Sequence, residues 1–208
     1  MDGTLLDSIP DIMASFNKML AQFGYPAVNR EQVIEAVGHG GETFVRTLLP
    51  EGHKHEIPVC RPVYNEIYRT CGSPLTVAFP GVEEALTKLK NAGVKLAILS
   101  NKPHTNTVTI YELKLGQFHF DVVFGNRDGV APKPDPAAIC EMLSLLNLSP
   151  EDAVMIGDGE ADMQVAKNAG VESIAVGWGY RPLSVLKEHG ATYTVTTVEE
   201  MTDLILSL

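Results

Sequence analysis

Residues 153–162, Ala153-Val-Met-Ile-Gly-Asp-Gly-Glu-Ala-Asp162, decide the fold. Four apolar residues rich in β-branched side chains read as a short buried strand, and the glycines at 157 and 159 mark a turn. A helical pattern follows over Ala161 to Ala169, and Ser173-Ile-Ala-Val176 is a strand again. The same alternation runs upstream. Val82 to Asn91 is helical and stops at Gly93, and Val94-Lys-Leu-Ala-Ile-Leu99 is a strand. A threonine-rich helix is expected over 104–115, a strand over Asp121-Val-Val-Phe124, and a helix over Pro136 to Asn147 with proline in its first turn. Val198 to Leu206 is the last helix. Short apolar strands separated by helices predict an α/β fold with a doubly wound parallel sheet.

Before Leu75 the pattern differs. Ile9, Ile12, Met13, Phe16, Met19, Leu20 and Phe23 follow the spacing of an amphipathic helix, which Gly24 and Pro26 end. Asn29 caps a second helix, with Gln32 as its capping-box partner. Gly38, Gly40 and Gly41 interrupt, and Glu42 to Leu49 and Pro62 to Thr70 read as two more helices. No strand is read between residues 9 and 74. An all-helical segment of about 65 residues thus stands apart from a core of about 130. Met1-Asp-Gly-Thr-Leu-Leu-Asp7 has no helical neighbour before it and is assigned to the core. The expected division is a core of residues 1–8 and 79–208, with residues 9–78 inserted.

Of the 208 residues, 45% are hydrophobic and 20% charged, which is ordinary for a soluble chain that buries a core. A net charge of −10 without a Lys/Arg cluster argues against nucleic acid as a partner. A small anionic substrate remains compatible if Lys133, Lys102 and His39 make a local positive pocket. Three cysteines, an odd number with no Cys-x-x-Cys, point to a reducing cytoplasm. No apolar run approaches the roughly 18 residues of a membrane span, and no signal peptide is read.

In open parallel sheets, ligands bind outside the carboxyl ends of the strands. Ser100 and Asn101 follow one expected strand, Lys133-Pro-Asp-Pro136 closes the loop after the next, and Asp158 and Asp162 follow the third. Each alone has a plain structural reading: turn chemistry, a solvated lysine, a helix N-cap. The ordered set points to phosphoryl transfer. Two acidic groups suit Mg²⁺, and the ion, a lysine and a hydroxyl neutralise phosphoryl oxygens. A carboxylate nucleophile would form an aspartyl-phosphate that water releases.

These residues resemble the haloacid dehalogenase superfamily of phosphohydrolases, on its phosphoglycolate phosphatase-like branch. Met1 to Ser8 matches the first motif, Asp-x-Asp-Gly-Thr-Leu-x-Asp-Ser, from its x onward. Ser100, Lys133 to Pro136, and Gly157 to Asp162 match the other three, and Pro80-Gly-Val82 leads into the second as in this branch. The resemblance implies that residues 9–78 are a helical cap. It implies that Asp2 is the general acid/base, with its carbonyl a Mg²⁺ ligand, that Gly3 turns the chain and that Thr4 braces the loop. Ser100, with Asn101 nearby, would bind the phosphoryl group, and Lys133 would neutralise nucleophile and phosphate. Asp158 and Asp162 would serve the metal. Gly38 to Thr43 resembles a substrate loop, with His39 or Arg46 at the substrate's far end.

The family's nucleophile is the first Asp of Asp-x-Asp, a position that would precede Met1 along with the central strand of the sheet. The expectation is that the true N-terminus lies upstream and that the chain as it stands is inactive or nearly so. The implied activity is that of a Mg²⁺-dependent phosphomonoesterase on a small phosphorylated metabolite, phosphoglycolate leading. The protein would be cytoplasmic, a monomer or homodimer, with no nucleic-acid or membrane partner. Two alternatives stay open: a non-catalytic phosphate- or metal-binding regulatory protein, and a hexose-phosphate mutase. A response-regulator receiver would need no helical insert, and a dehalogenase would not need the Asp2-Gly3-Thr4 loop.

Overall fold

A computed structural model describes residues 1–208. A short strand, β1 (Leu6–Asp7), leads into four helices, α1 (Ile9–Gln22), α2 (Arg30–Ala36), α3 (Gly41–Leu48) and α4 (Ile57–Thr70). β2 (Val77–Ala78) then returns antiparallel to β1, with Leu6 opposite Ala78 and Asp7 opposite Val77. The chain leaves and re-enters the α/β layer at one two-stranded stem. Strands of two residues carry no periodicity, so the sequence pattern does not reveal this pair.

The helices form for the reasons their sequence suggests. α1 buries Ile9, Ile12, Phe16, Met19 and Leu20 along one stripe. Phe16 meets Phe44 of α3 and Tyr64 of α4 edge-on, with ring centroids 5.2 and 5.3 Å away, so one aromatic centre joins three helices. Asn29 and Gln32 close the expected capping box on α2. α4 starts five residues earlier than Pro62 suggests. Pro58 occupies its first turn and Pro62 lies inside the helix, where proline is ordinarily disfavoured.

Asp11 secures the stem. This carboxylate is buried in the first turn of α1, and its Oδ2 accepts from Leu75 N at 3.0 Å and Thr76 Oγ1 at 2.7 Å. Asp11→Ala would strand a backbone donor and a buried hydroxyl. It is expected to cost about 2–4 kcal/mol, read as a lower urea midpoint at unchanged slope.

The second layer runs α5 (Val82–Asn91), β3 (Ala97–Pro103), α6 (His104–Lys114), β4 (Val122–Asn126), α7 (Ala137–Leu146) and β5 (Val154–Gly157). It continues with α8 (Glu160–Ala169), β6 (Glu172–Val176), α9 (Leu183–Glu188), β7 (Tyr193–Val195) and α10 (Val198–Ser207). The pairs β3–β4, β5–β6 and β6–β7 are all parallel. The fold is the expected α/β class with helices packed on a parallel sheet, and the sheet comes in two pieces, β3–β4 and β5–β6–β7.

β3 begins later and ends later than its hydrophobicity suggests. Gly93, at φ +83°, ends α5 in a Schellman turn, with Gly93 N donating to Lys90 O and Val94 N to Leu89 O, both at 3.0 Å. Val94 therefore belongs to the helix stop. At its far end β3 carries an irregularity. Leu99 pairs with Phe124 and Pro103 with Asn126, so Ser100, Asn101 and Lys102 bulge out between paired positions. A single apolar cluster runs from Ile12 and Phe16 through Leu86 and Ile98 to Ile174 and Met201, so the helical segment packs onto the sheet rather than hanging from it.

Candidate active site

The β3 bulge, the end of β5 and the helical segment enclose a cavity of about 110 Å³. Asp2, His39, Ser100, Asn101, Lys133, Asp158 and Asp162 line it. Gly3 and Thr4 stand behind it: the buried Thr4 hydroxyl donates to Asp158 Oδ1 at 2.8 Å. Gly3 has φ +73°, and a Cβ there would lie 1.9 Å from Asp158 Oδ2, so only glycine fits. Arg46 lies outside the cavity. It is exposed on α3 and paired with Glu42 one turn away at 2.8 Å.

Local sequence explains the placement of the acids. β5 ends at Gly157, and Gly159 becomes the N-cap of α8. Asp162, in the first turn of that helix, turns back so that its Oδ2 accepts from Gly159 N at 3.0 Å. Its other oxygen takes Lys133 Nζ at 2.5 Å, and the same ammonium donates to Leu99 O at 3.2 Å. Lys133 thus ties β3 to the first turn of α8, the helix that follows β5. Asn101 grips that lysine's backbone: its Oδ1 accepts from Lys133 N at 2.8 Å, and its Nδ2 donates to Lys133 O and to Gly38 O, both at 3.0 Å. The Ser100 hydroxyl is buried and accepts from Lys102 N at 3.2 Å.

Lys102 enters more deeply than sequence reasoning placed it. Its ammonium meets Asp2 Oδ1 at 2.9 Å, donates to Tyr68 Oη at 2.7 Å and sits 4.5 Å from the centre of that ring. Burial would raise the Asp2 carboxyl, but Lys102 and the Ser8 hydroxyl outweigh it and hold Asp2 below the usual carboxylate range. Asp162 is likewise opposed by burial and held low by Lys133. Asp158 has no lysine against it. Burial, with Asp162 beside it, pushes Asp158 up to about 6.

That imbalance tests the fit of a divalent ion. No three His, Cys, Asp or Glu side chains converge closely enough to hold one by themselves. Two carboxylates, a backbone carbonyl and water are nonetheless hard oxygen donors of the kind Mg²⁺ takes. Asp158 is the carboxylate whose charge a bound cation would favour. The donor set fits.

Sequence reasoning passed over one loop entirely. Residues 178–181, Trp-Gly-Tyr-Arg, follow β6 at its carboxyl end. Trp178 Nε1 donates to Thr4 O at 3.0 Å, and Tyr180 N donates to Asp158 Oδ2 at 3.0 Å. The Tyr180 hydroxyl donates to Asp7 Oδ1 and accepts from Ser8 N, both at 3.1 Å, which ties down the stem. A Cβ on Gly179 would lie 2.1 Å from Asp158 Cβ and 2.6 Å from Gly3 O. The signal was available, since the strand-end position is the one that picked out Ser100 and Asp158. Trp178, Gly179 and Tyr180 carry no group that titrates near neutrality, so a search for acids and bases missed them.

The known proteins that resemble the chain are hydrolases of one family. The family model of haloacid dehalogenase-like hydrolases matches residues 1–176. Phosphoglycolate phosphatase 1 of Pseudomonas aeruginosa is 33% identical over 97% of this chain and 76% of its own length. The phosphoglycolate phosphatase of Psychrobacter arcticus is 32% identical over 99% of this chain and 93% of its own. A solved structure from Lactobacillus delbrueckii subsp. bulgaricus, provisionally assigned as a phosphoglycolate phosphatase, superposes with a TM-score of 0.90 at 30% identity, covering 99% of this chain and 95% of that one. The chain belongs to the haloacid dehalogenase-like hydrolase family, as a phosphatase of its phosphoglycolate phosphatase-like branch. Phosphatases of this family generally work with a divalent metal ion.

Proposed function

We propose that the site serves a Mg²⁺-dependent phosphomonoesterase acting on a small, phosphoglycolate-like organic phosphate. The convergence of Asp2, Ser100, Lys133, Asp158 and Asp162 on one cavity at the strand ends carries this reading. Ser100 donates to a phosphoryl oxygen and Lys133 neutralises the charge that builds there. Asp2, kept ionised by Lys102 and Ser8, takes a proton from the attacking water and hands it to the leaving alkoxide of the next turnover. Asp158 and Asp162, with the Asp2 carbonyl, would hold Mg²⁺, which supplies further charge neutralisation when bound. Asn101 and Lys102 position Lys133 and Asp2. Residues 9–78 act as the cap, with His39 at the mouth and no role for Arg46. The named relatives support a metabolite over a polymer. The setting is the cytoplasm, as a monomer or homodimer. No helix is long and apolar enough to cross a membrane.

The aspartyl-phosphate this reaction requires would form on a carboxylate two positions before Asp2, outside residues 1–208. The test follows from that position. The 208-residue polypeptide is expected to bind Mg²⁺ and inorganic phosphate without turnover. The same polypeptide, extended upstream by an apolar strand ending in Asp before Met1, is expected to release phosphate from phosphoglycolate. Failure of the extended chain on a panel of small phosphate esters would sink the phosphatase reading. Isomerisation of a phosphohexose without phosphate release would replace it by the mutase.

A further inference from the structure

Arg181 joins parts of the molecule that no other side chain joins in the same way. It lies on the loop between β6 and α9, and its side chain is 14% exposed. Nε stands 3.4 Å from Glu160 Oε2. The two terminal nitrogens reach across to the helical segment. One donates to Ile34 O at 2.8 Å, the other to Glu35 O at 3.1 Å and Val37 O at 3.2 Å. α2 ends at Ala36, so the Ile34 and Glu35 carbonyls belong to its last turn and have no partner inside the helix, and Val37 is the extended residue that follows. Those two carbonyls also form the negative end of the helix, and a planar guanidinium can meet several carbonyls at once.

Each end of this contact adjoins the candidate site. Immediately after Val37 the chain enters Gly38-His-Gly-Gly41, which lines the cavity. Gly38 and Gly40 have φ +103° and +88°, with nothing within 4 Å of where a Cβ would be. Such a loop has little stiffness of its own, and its position depends on what grips its ends. On the other side, Glu160 opens α8 two residues before Asp162. Tyr180, next to Arg181, holds Asp158 through its backbone N–H at 3.0 Å. The loop over the cavity and the loop bearing both acids are therefore fixed to the same two-residue segment.

We propose that Arg181 is a positioning residue: a latch that holds residues 38–41 against the phosphate pocket and couples their placement to the Asp158–Asp162 loop. The ligand in this inference rests on the phosphatase reading; the latch itself does not.

The test compares the 208-residue chain with Arg181→Gln by hydrogen exchange and by calorimetric binding of inorganic phosphate in the presence of Mg²⁺. Exchange in the peptide covering residues 33–45 is expected to rise about tenfold in the variant, with α1 and β6 unchanged. Phosphate affinity is expected to fall by about tenfold. Millimolar guanidinium ion, but not ammonium at equal ionic strength, should restore both, a rescue that a general loss of stability would not allow. Equal exchange of the two proteins in that peptide, or a rise spread evenly over the chain, overturns the latch. If the unaltered chain takes up no phosphate, the phosphatase reading falls, while the exchange comparison still decides the latch.

Discussion

Replacing Lys133 by Ala is expected to lower phosphate release by the upstream-extended enzyme by about 10²–10³-fold, the range seen when one preorganised donor to a developing oxyanion is removed. Two effects combine. The ammonium that would face the phosphoryl oxygens is gone, and Asp162 loses the partner that holds it ionised at 2.5 Å. The pair is buried, with side chains 8% and 12% exposed, so solvent replaces the lost charge poorly. Steady-state kinetics should place most of the loss in kcat. A variant that keeps more than a third of the rate would remove Lys133 from the proposed chemistry. Lys133→Arg is not a neutral control, because the longer fork cannot donate to both Leu99 O and Asp162 from the same point.

Gly179→Ala should produce a large loss of stability. The added methyl would overlap Asp158 Cβ at 2.1 Å, whose place its own backbone sets, and the Gly3 backbone carbonyl at 2.6 Å; neither is the end of a flexible side chain. Relief requires moving the Asp158 loop, the Gly3 turn, or both. Overpacking of this kind costs about 3 kcal/mol, which for a chain of this size lowers the melting temperature by roughly 6–12 °C. The displaced Asp158 should also abolish Mg²⁺-dependent stabilisation. Gly116→Ala is the control: its Cβ would meet nothing nearer than Tyr111 O at 3.8 Å, and it should shift melting by only a few degrees. Equal melting of the two variants would mean that the close packing around Asp158 is not a constraint.

The sequence carried the parts of this molecule that repeat a pattern. Apolar periodicity marks α1, and the Asn29–Gln32 box marks the start of α2, since local side chains and backbone settle both. The strands before Ser100 and Asp158 are legible because a buried parallel strand must be apolar throughout. Seven of the ten expected site residues line one cavity because the strand-end rule concerns topology, not side-chain detail. What stayed hidden depends on distant partners. Tyr180 and Arg181 act on residues more than 140 positions away, through a phenol and a guanidinium. The β1–β2 stem is too short to show a period, and Pro62 sits where propensity argues for a helix start. Arg46, plausible on its helix, faces solvent because the stripe formed by Phe44, Val45 and Leu48 takes the inward face.

The stem has a consequence for how specificity can vary. Leu6 faces Ala78 and Asp7 faces Val77, so the seventy residues between Asp7 and Ala78 begin and end at neighbouring points. Their length and shape place no demand on the strand order beneath. A lineage can lengthen, shorten or exchange this module and leave the groups around Lys133 and Asp158 where they are. The constraint falls on the surface against which the module packs. Any replacement must still pack against β3 and α6, and must still present carbonyls where the Arg181 fork can reach them. Recombination at the stem is topologically free, but physically it admits only modules that fit that footprint.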